Sequence, residues 1–197
     1  MGNRLSKVVT RTGDRGTTGM ADGSRRVKND PRVHCLGEVD ELNACIGVAL
    51  SLLEDGPLQQ LLFAVQHDLF DVGAELCQPG KHLILAEYVE GLESSIGEFN
   101  ARLSELKEFI LPGGSPAVAS LQLARAVCRR VERSLVTLND RETVNPVTSR
   151  YINRLSDLLF ILARAQSLDE GGGKVYWNSK YSRMNRGNKP TEPKSGD

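Results

Sequence analysis

Five stretches of the chain repeat apolar residues at helical spacing, none alternates convincingly as a strand does, and Pro or Gly punctuates most of the boundaries. Together these observations predict an all-α protein, a five-helix bundle behind an ordered N-terminal loop.

The first helix follows Asn29 or Asp30, either of which can cap it, and carries Pro31 in its first turn, where a missing amide hydrogen costs nothing. Its stripe is Val39, Leu42, Ile46, Ala49 and Leu53. The second begins after Gly56-Pro57, carries Leu58, Leu61, Leu62, Val65, Leu69, Val72 and Leu76, and stops before Pro79-Gly80. Val89, Leu92, Ile96, Phe99, Leu103 and Leu106 predict a third helix. Phe109-Ile110-Leu111 then runs into the breaker Pro112-Gly113-Gly114. The fourth helix, about Pro116 to Leu138, is striped by Leu121, Ala124, Cys128, Val131, Leu135 and Leu138. Asn139 to Pro146 reads as a loop, and the fifth helix, about Val147 to Leu168, shows Ile152, Leu155, Leu158, Leu159 and Leu162 before Gly171-Gly172-Gly173. This organisation predicts one domain over 1–182, with a ligand-binding loop at 10–28, and a polar, disordered tail over 183–197.

Twenty-five basic and twenty-five acidic residues cancel, so no global field draws the chain onto nucleic acid or an anionic membrane. Function has to be local. Cys35, Cys45, Cys77 and Cys128 form no Cys-x-x-Cys pair and read as reduced core residues of a cytoplasmic protein. No apolar run approaches the ~20 residues that span a bilayer.

The chemistry concentrates in a few blocks. Thr10-Arg11-Thr12-Gly13-Asp14-Arg15-Gly16-Thr17-Thr18-Gly19, followed by Arg25-Arg26-Val27-Lys28, joins glycines, hydroxyls and cations, the makings of a polyphosphate cradle. Neither the P-loop spacing nor the Gly-x-Gly-x-x-Gly turn is present. On the fourth helix Arg125, Arg129, Glu132 and Arg133 share a flank beside the apolar face, and Arg130 points further away. Arginine forks suit phosphate oxygens; the alternative is that they pair with carboxylates of neighbouring helices or subunits. Glu38, Asp40 and Glu41 could ligate metal or complement the helix dipole. Asn153, Arg154 and Asp157 could bridge helices, and Asn153 could equally read a base or ribose. Phe109 could plug the bundle end or wall the pocket of a flat ligand. His34, His67 and His82 read as surface or helix-flank residues, and no Ser, Cys or His nucleophile motif stands out.

In their order along the chain, the Thr-Arg-Thr-Gly-Asp cradle with Lys28, Gly37-Glu38-Val39-Asp40-Glu41-Leu42-Asn43, Phe109-Ile110-Leu111-Pro112-Gly113-Gly114, Arg129-Arg130-Val131-Glu132-Arg133 and Asn153-Arg154-Leu155-Ser156-Asp157 form a set. From about Thr10 to Lys180 that set resembles the PduO-type ATP:cob(I)alamin adenosyltransferases. The resemblance implies a homotrimer with active sites at subunit interfaces. It implies that Thr10, Arg11, Thr12, Gly13, Thr17, Thr18 and Lys28 hold ATP from one subunit, and that Arg129, Arg130, Glu132, Arg133 and Asn153 complete the pocket from its neighbour. Lys28, Arg129 and Phe109 would carry catalysis, with Phe109 closing the lower face of the corrin ring, and Asp40 with Arg125 would form an intersubunit salt bridge.

The implied reaction moves the 5′-deoxyadenosyl group of ATP to the cobalt(I) of a corrinoid and releases triphosphate. Mg²⁺ would be bound mainly through the ATP phosphates. Implied partners are a corrinoid reductase and an adenosylcobalamin-dependent enzyme, and the alternative role is an ATP-gated adenosylcobalamin escort for such an enzyme. An RNA-binding module is disfavoured by the neutral charge and the lack of aromatics among the basic residues.

Overall fold

The computed structural model of the protein describes residues 9–106, 108–173 and 175–178; the tail expected over 183–197 lies outside them. Five helices build the bundle: α1 (Pro31–Leu50), α2 (Pro57–Leu76), α3 (Ala86–Asn100), α4 (Pro116–Asn139) and α5 (Pro146–Asp169). Ahead of them two short strands, β1 (Thr17–Gly19) and β2 (Arg25–Val27), pair antiparallel with Thr17 opposite Val27 and Gly19 opposite Arg25. The reading of the first 28 residues as strand-free is therefore corrected: the cradle is built on a hairpin.

Local chemistry accounts for most boundaries. Pro occupies the first turn of α1, α2, α4 and α5, where its fixed φ suits the helix and its missing N–H would have no partner. Asp30 caps α1 by accepting from the Arg32 amide at 2.8 Å, Ser115 caps α4 through the Val118 amide at 3.2 Å, and Asn145 caps α5 through the Val147 amide at 3.0 Å. At the far end of α5, Gly171 adopts φ 66°, a left-handed conformation natural to glycine past a helix end.

The third helix is shorter than its stripe suggests. It stops at Asn100, so Leu103 and Leu106 lie in the following segment. Gly97 and Asn100 weaken the last turn, and Arg102 forks onto Asp169 at 2.6 and 2.9 Å, which carries the chain towards the end of α5. Leu53 likewise falls just beyond α1, yet still packs on the core.

Packing places α4 in the centre, against α1 on one side and α5 on the other, while α2 covers α1 and α3 covers α5. Leu42, Ile46, Leu62, Leu69, Leu121, Leu135, Tyr151, Ile152 and Leu155 fill the space between them. All four cysteines are free: Cys35 and Cys128 are in the core, while Cys45 and Cys77 are half-buried. Burial pushes the Cys35 thiol up to about 12 and raises that of Cys128 further.

One buried polar group ties the loops to the bundle. Glu75, 4 % exposed, accepts from the amides of Leu83 at 2.7 Å and Ile84 at 3.0 Å, from Asn145 Nδ2 at 2.9 Å and from the Thr148 hydroxyl. A buried donor without an acceptor costs about 1–3 kcal/mol, and Glu75→Ala would orphan several at once. Chemical denaturation of Glu75→Ala is expected to show a loss on the order of 3 kcal/mol or more, with Glu75→Gln losing less.

Candidate functional site

Two clusters of candidate residues are built on different elements. The first is the hairpin cradle. The Gly16 amide closes the turn by donating to Gly13 O at 3.1 Å, and the Lys28 amide donates to Gly16 O at 2.8 Å, so Lys28 is drawn back over the loop. A Cβ on Gly13 would lie 3.3 Å from both Lys28 Nζ and Thr17 O, so glycine is what lets the ammonium approach the backbone. Arg11 sits at φ 59°, a left-handed conformation that an L-residue adopts at some cost. The Thr10 and Thr12 hydroxyls are 3.0 Å apart. Thr10, Arg11, Thr12 and Lys28 are exposed, while Gly13, Thr17 and Thr18 are half-buried.

Two arginines of the cationic run, Arg25 and Arg26, to which the resemblance gives no role, organise this loop. On a strand, neighbouring side chains point to opposite faces, and Arg25 and Arg26 follow that rule. Arg25 turns to the cradle, donating to Thr12 O and Thr17 Oγ1, each at 2.7 Å. Arg26 turns to the helices and forks onto Glu142 of the α4–α5 connection, and it also reaches Asp30 at 3.2 Å. Glu142 is held in turn by Arg32, through Nε at 2.9 Å and Nη2 at 2.8 Å. The adjacent Arg-Arg pair in a short polar segment was the available signal, but a partner 116 residues away was not legible.

The second cluster lies along α4 and α5. Arg129 and Arg125 share the wall of a cavity of about 540 Å³ with Phe109, Gln122, Asp157 and Phe160. Arg133 Nη1 folds back to Arg129 O at 3.0 Å, and neither Arg129 nor Arg133 pairs with a carboxylate among the described residues. Asn153 Nδ2 donates to Glu132 Oε1 at 2.7 Å and its Oδ1 accepts from Arg154 at 3.1 Å, so its interhelical role is realised. Arg154 also bonds Glu93 at 2.8 Å and Asp157 at 3.1 Å.

Arg130 stands apart. It faces α1, where it pairs with Glu41 and lies 3.6 Å from Glu38. Its guanidinium pKa is raised, chiefly by the Glu41 bond. Glu38, Asp40 and Glu41 are not in an early turn of α1, which begins at Pro31 and has no acidic residue in its first turn; the dipole reading is corrected. The buried Glu38 carboxylate lies 3.3 Å from His34 Nε2 and 3.6 Å from Arg130 Nε, near enough to Arg130 for a charge interaction but not a hydrogen bond. Arg125 finds Gln122 Oε1 at 2.9 Å, and its guanidinium lies 5.9 Å from the Phe160 ring centroid. Asp40 is exposed beside Phe63 and Phe70 on the α1–α2 face, so the two residues expected to pair do not meet within one chain.

Phe109 is 79 % exposed, which rules out a plug under the bundle. Its carbonyl accepts from the Trp177 amide at 2.7 Å and its ring meets the Trp177 ring edge-on at 6.3 Å, so the segment after α5 holds it at the cavity mouth. The cavity that Arg129 and Phe109 line includes no residue of the cradle.

The sequence pattern of the cobalamin adenosyltransferases matches residues 8–166. The chain belongs to the cobalamin adenosyltransferase family. It is accordingly an enzyme of the transferase class. A "Cobalamin adenosyltransferase" of Cupriavidus metallidurans is 51% identical over 180 residues, covering 90% of this chain and 97% of its own. A "Corrinoid adenosyltransferase" of Mycobacterium tuberculosis is 45% identical over 187 residues, covering 90% and 95%. Among solved structures, a phenylalanine-to-alanine variant of a PduO-type ATP:corrinoid adenosyltransferase from Lactobacillus reuteri, complexed with cobalamin and ATP, superposes with TM-score 0.83 at 35% identity. The match covers 88% of this chain and all of that one (100%). An arginine-to-lysine variant of the Lactobacillus reuteri enzyme, complexed with ATP, gives TM-score 0.82 at 35% identity over 87% of this chain. Both solved structures share the fold of this helical chain.

The Glu142 node has a pH signature. Bonds from Arg26 and then Arg32 hold its carboxyl below the ordinary value of 4.5. A carboxylate favoured in the folded state adds stability above its unfolded pKa, and that stability is lost as pH falls through the lower folded value. Thermal melts of wild type and Glu142→Gln should therefore converge as pH drops below about 4.5, and parallel curves would contradict the assignment.

Proposed function

We propose that the protein transfers the 5′-deoxyadenosyl group of ATP to the cobalt(I) of a reduced corrinoid, in sites formed between the subunits of a homotrimer. The observation that carries this reading is the division of the cationic residues: the cradle with Lys28 on the hairpin, Arg129 and Arg133 on α4, and a cavity beside Arg129 whose lining includes no cradle residue. A polyphosphate between two copies would engage both. Thr10, Arg11, Thr12, Gly13, Thr17, Thr18 and Lys28 then line one wall, and Arg129, Arg133, Glu132 and Asn153 the other. Arg130 joins them through its position on α4, tethered by Glu41. The same arrangement lets Asp40 of one copy meet Arg125 of the next.

In the reaction a cobalt–carbon bond forms and the bond from C5′ to the triphosphate oxygen breaks. The electron pair comes from cobalt(I), which becomes formally cobalt(III), and the leaving triphosphate takes the pair of the broken bond. No side chain has to be deprotonated in order to attack, in keeping with a site made of arginines, lysine, hydroxyls and amides. The protein's work is to set C5′ over cobalt and to stabilise the charge developing on the triphosphate. Lys28, Arg129 and Arg133 suit the second task because none is committed to a carboxylate among the described residues. An accompanying Mg²⁺ would be held mainly through the phosphates, where it would neutralise charge.

Phe109 has a separate task. An exposed ring at the mouth of a cavity presents an apolar face to the corrin plane. With that ring beneath it, cobalt(II) is denied a lower ligand, which changes its redox behaviour. A reductase supplying the electron and an enzyme consuming the adenosylated cofactor are the partners this chemistry calls for.

An anaerobic spectrophotometric assay with chemically reduced cobalamin, ATP and Mg²⁺ tests the proposal. Lys28→Ala and Arg129→Ala are expected to lower turnover on the order of 10²-fold with melting temperatures unchanged; near-normal rates in both would remove the triphosphate assignment. Phe109→Ala should lose more activity when cobalt(II) must be reduced in the assay than when cobalt(I) is supplied. Equal losses would refute the role given to its ring.

A further inference from the structure

The hairpin that carries the cradle is attached to the helices at two places. At its tip, Met20 is buried and the Ala21 amide donates to Cys77 O at 3.1 Å, beyond the end of α2. At its base, Arg26 forks onto Glu142 through both terminal nitrogens. The cradle residues assigned to the ligand wall, Thr10 to Gly13 with Thr17 and Thr18, lie on the β1 side of the ladder, and Lys28 follows β2 on the other.

The base attachment is rigid for a reason visible in its partners. Glu142 is fixed by Arg32, which is 3 % exposed and also donates to Leu76 O at 3.2 Å. Arg26 reaches in addition to Asp30, the residue that caps α1. One carboxylate thus joins β2, the start of α1 and the α4–α5 connection. Lys28 is two residues from both Arg26 and Asp30, and its own amide is bonded to Gly16 O, so a shift at this base moves the ammonium and the glycine turn together.

We infer that the Arg26–Glu142 pair is a positioning device that sets where the cradle and Lys28 meet a triphosphate; this rests on the nucleotide reading given above. Neither side chain touches the ligand. Arg25 shapes the loop from within, and Arg26 aims it.

Arg26→Met tests the inference, because it cuts the hairpin from Glu142 while the Arg32–Glu142 pair and the core remain. In the ligand-free protein, amide exchange over 16–28 should quicken while the helices keep their protection. Calorimetry with ATP should show affinity weakened about tenfold, with KM for the corrinoid little changed. Arg26→Lys, which restores charge without the fork, should fall between. Unchanged exchange or unchanged ATP affinity in Arg26→Met overturns the inference. A fall in melting temperature with equal losses for both substrates would also overturn it, since it would make the pair merely structural. The wild-type arm separates the two levels: a wild type that fails to bind ATP refutes the nucleotide reading itself, and this role with it.

Discussion

The position of α4 between α1 and α5 is the constraint on which the rest depends. Leu121, Ala124, Cys128, Val131, Leu135 and Leu138 are all buried along one helix, and a stripe that wide has to be covered from both sides. Cys128 at the seam is small enough for α5 to come close, its Sγ lying 3.2 Å from Ile152 O. Once the stripe is covered, the charged flank is distributed by geometry alone. Arg130 is delivered to the acids of α1, Glu132 to Asn153 of α5, and Arg129 and Arg133 are left on the surface between them.

That distribution sorts the cations by whether a carboxylate of the same chain reaches them. Arg26, Arg32, Arg102, Arg130 and Arg154 are committed to acids and hold elements together. Lys28, Arg129 and Arg133 have no such partner among the described residues. Exposed ion pairs contribute little individually, so the committed arginines matter more for direction than for energy. They decide which cations remain available, and polyphosphate is the ligand chemistry for which such a set is suited.

The helices were readable because their signals are local: stripes, capping residues and Pro in the first turn. The same locality explains the failures. Leu103 and Leu106 continue the α3 stripe in sequence, yet Arg102 is drawn to Asp169, 67 residues away, and the helix ends first. Strands of three residues, Thr17–Gly19 and Arg25–Val27, are too short for alternation to register, so the hairpin was invisible. The acids at 38–41 lie about two turns past Pro31, so the helix start legible in the sequence already put them beyond the reach of its dipole.

By itself the sequence determined the class of fold, the family and the chemical types of the site: glycines and hydroxyls in one loop, arginines on one helix flank, an aromatic ring before a Pro-Gly-Gly breaker. These depend on residue identity and short-range spacing. Only the tertiary structure decided which arginines meet a carboxylate among the described residues, that Arg25 and Arg26 face opposite ways, and that the cavity lined by Arg125 and Arg129 takes in no cradle residue. Those outcomes depend on contacts between residues far apart in the chain, and such contacts exist only after the apolar stripes have been buried and α4 has taken its place between its neighbours.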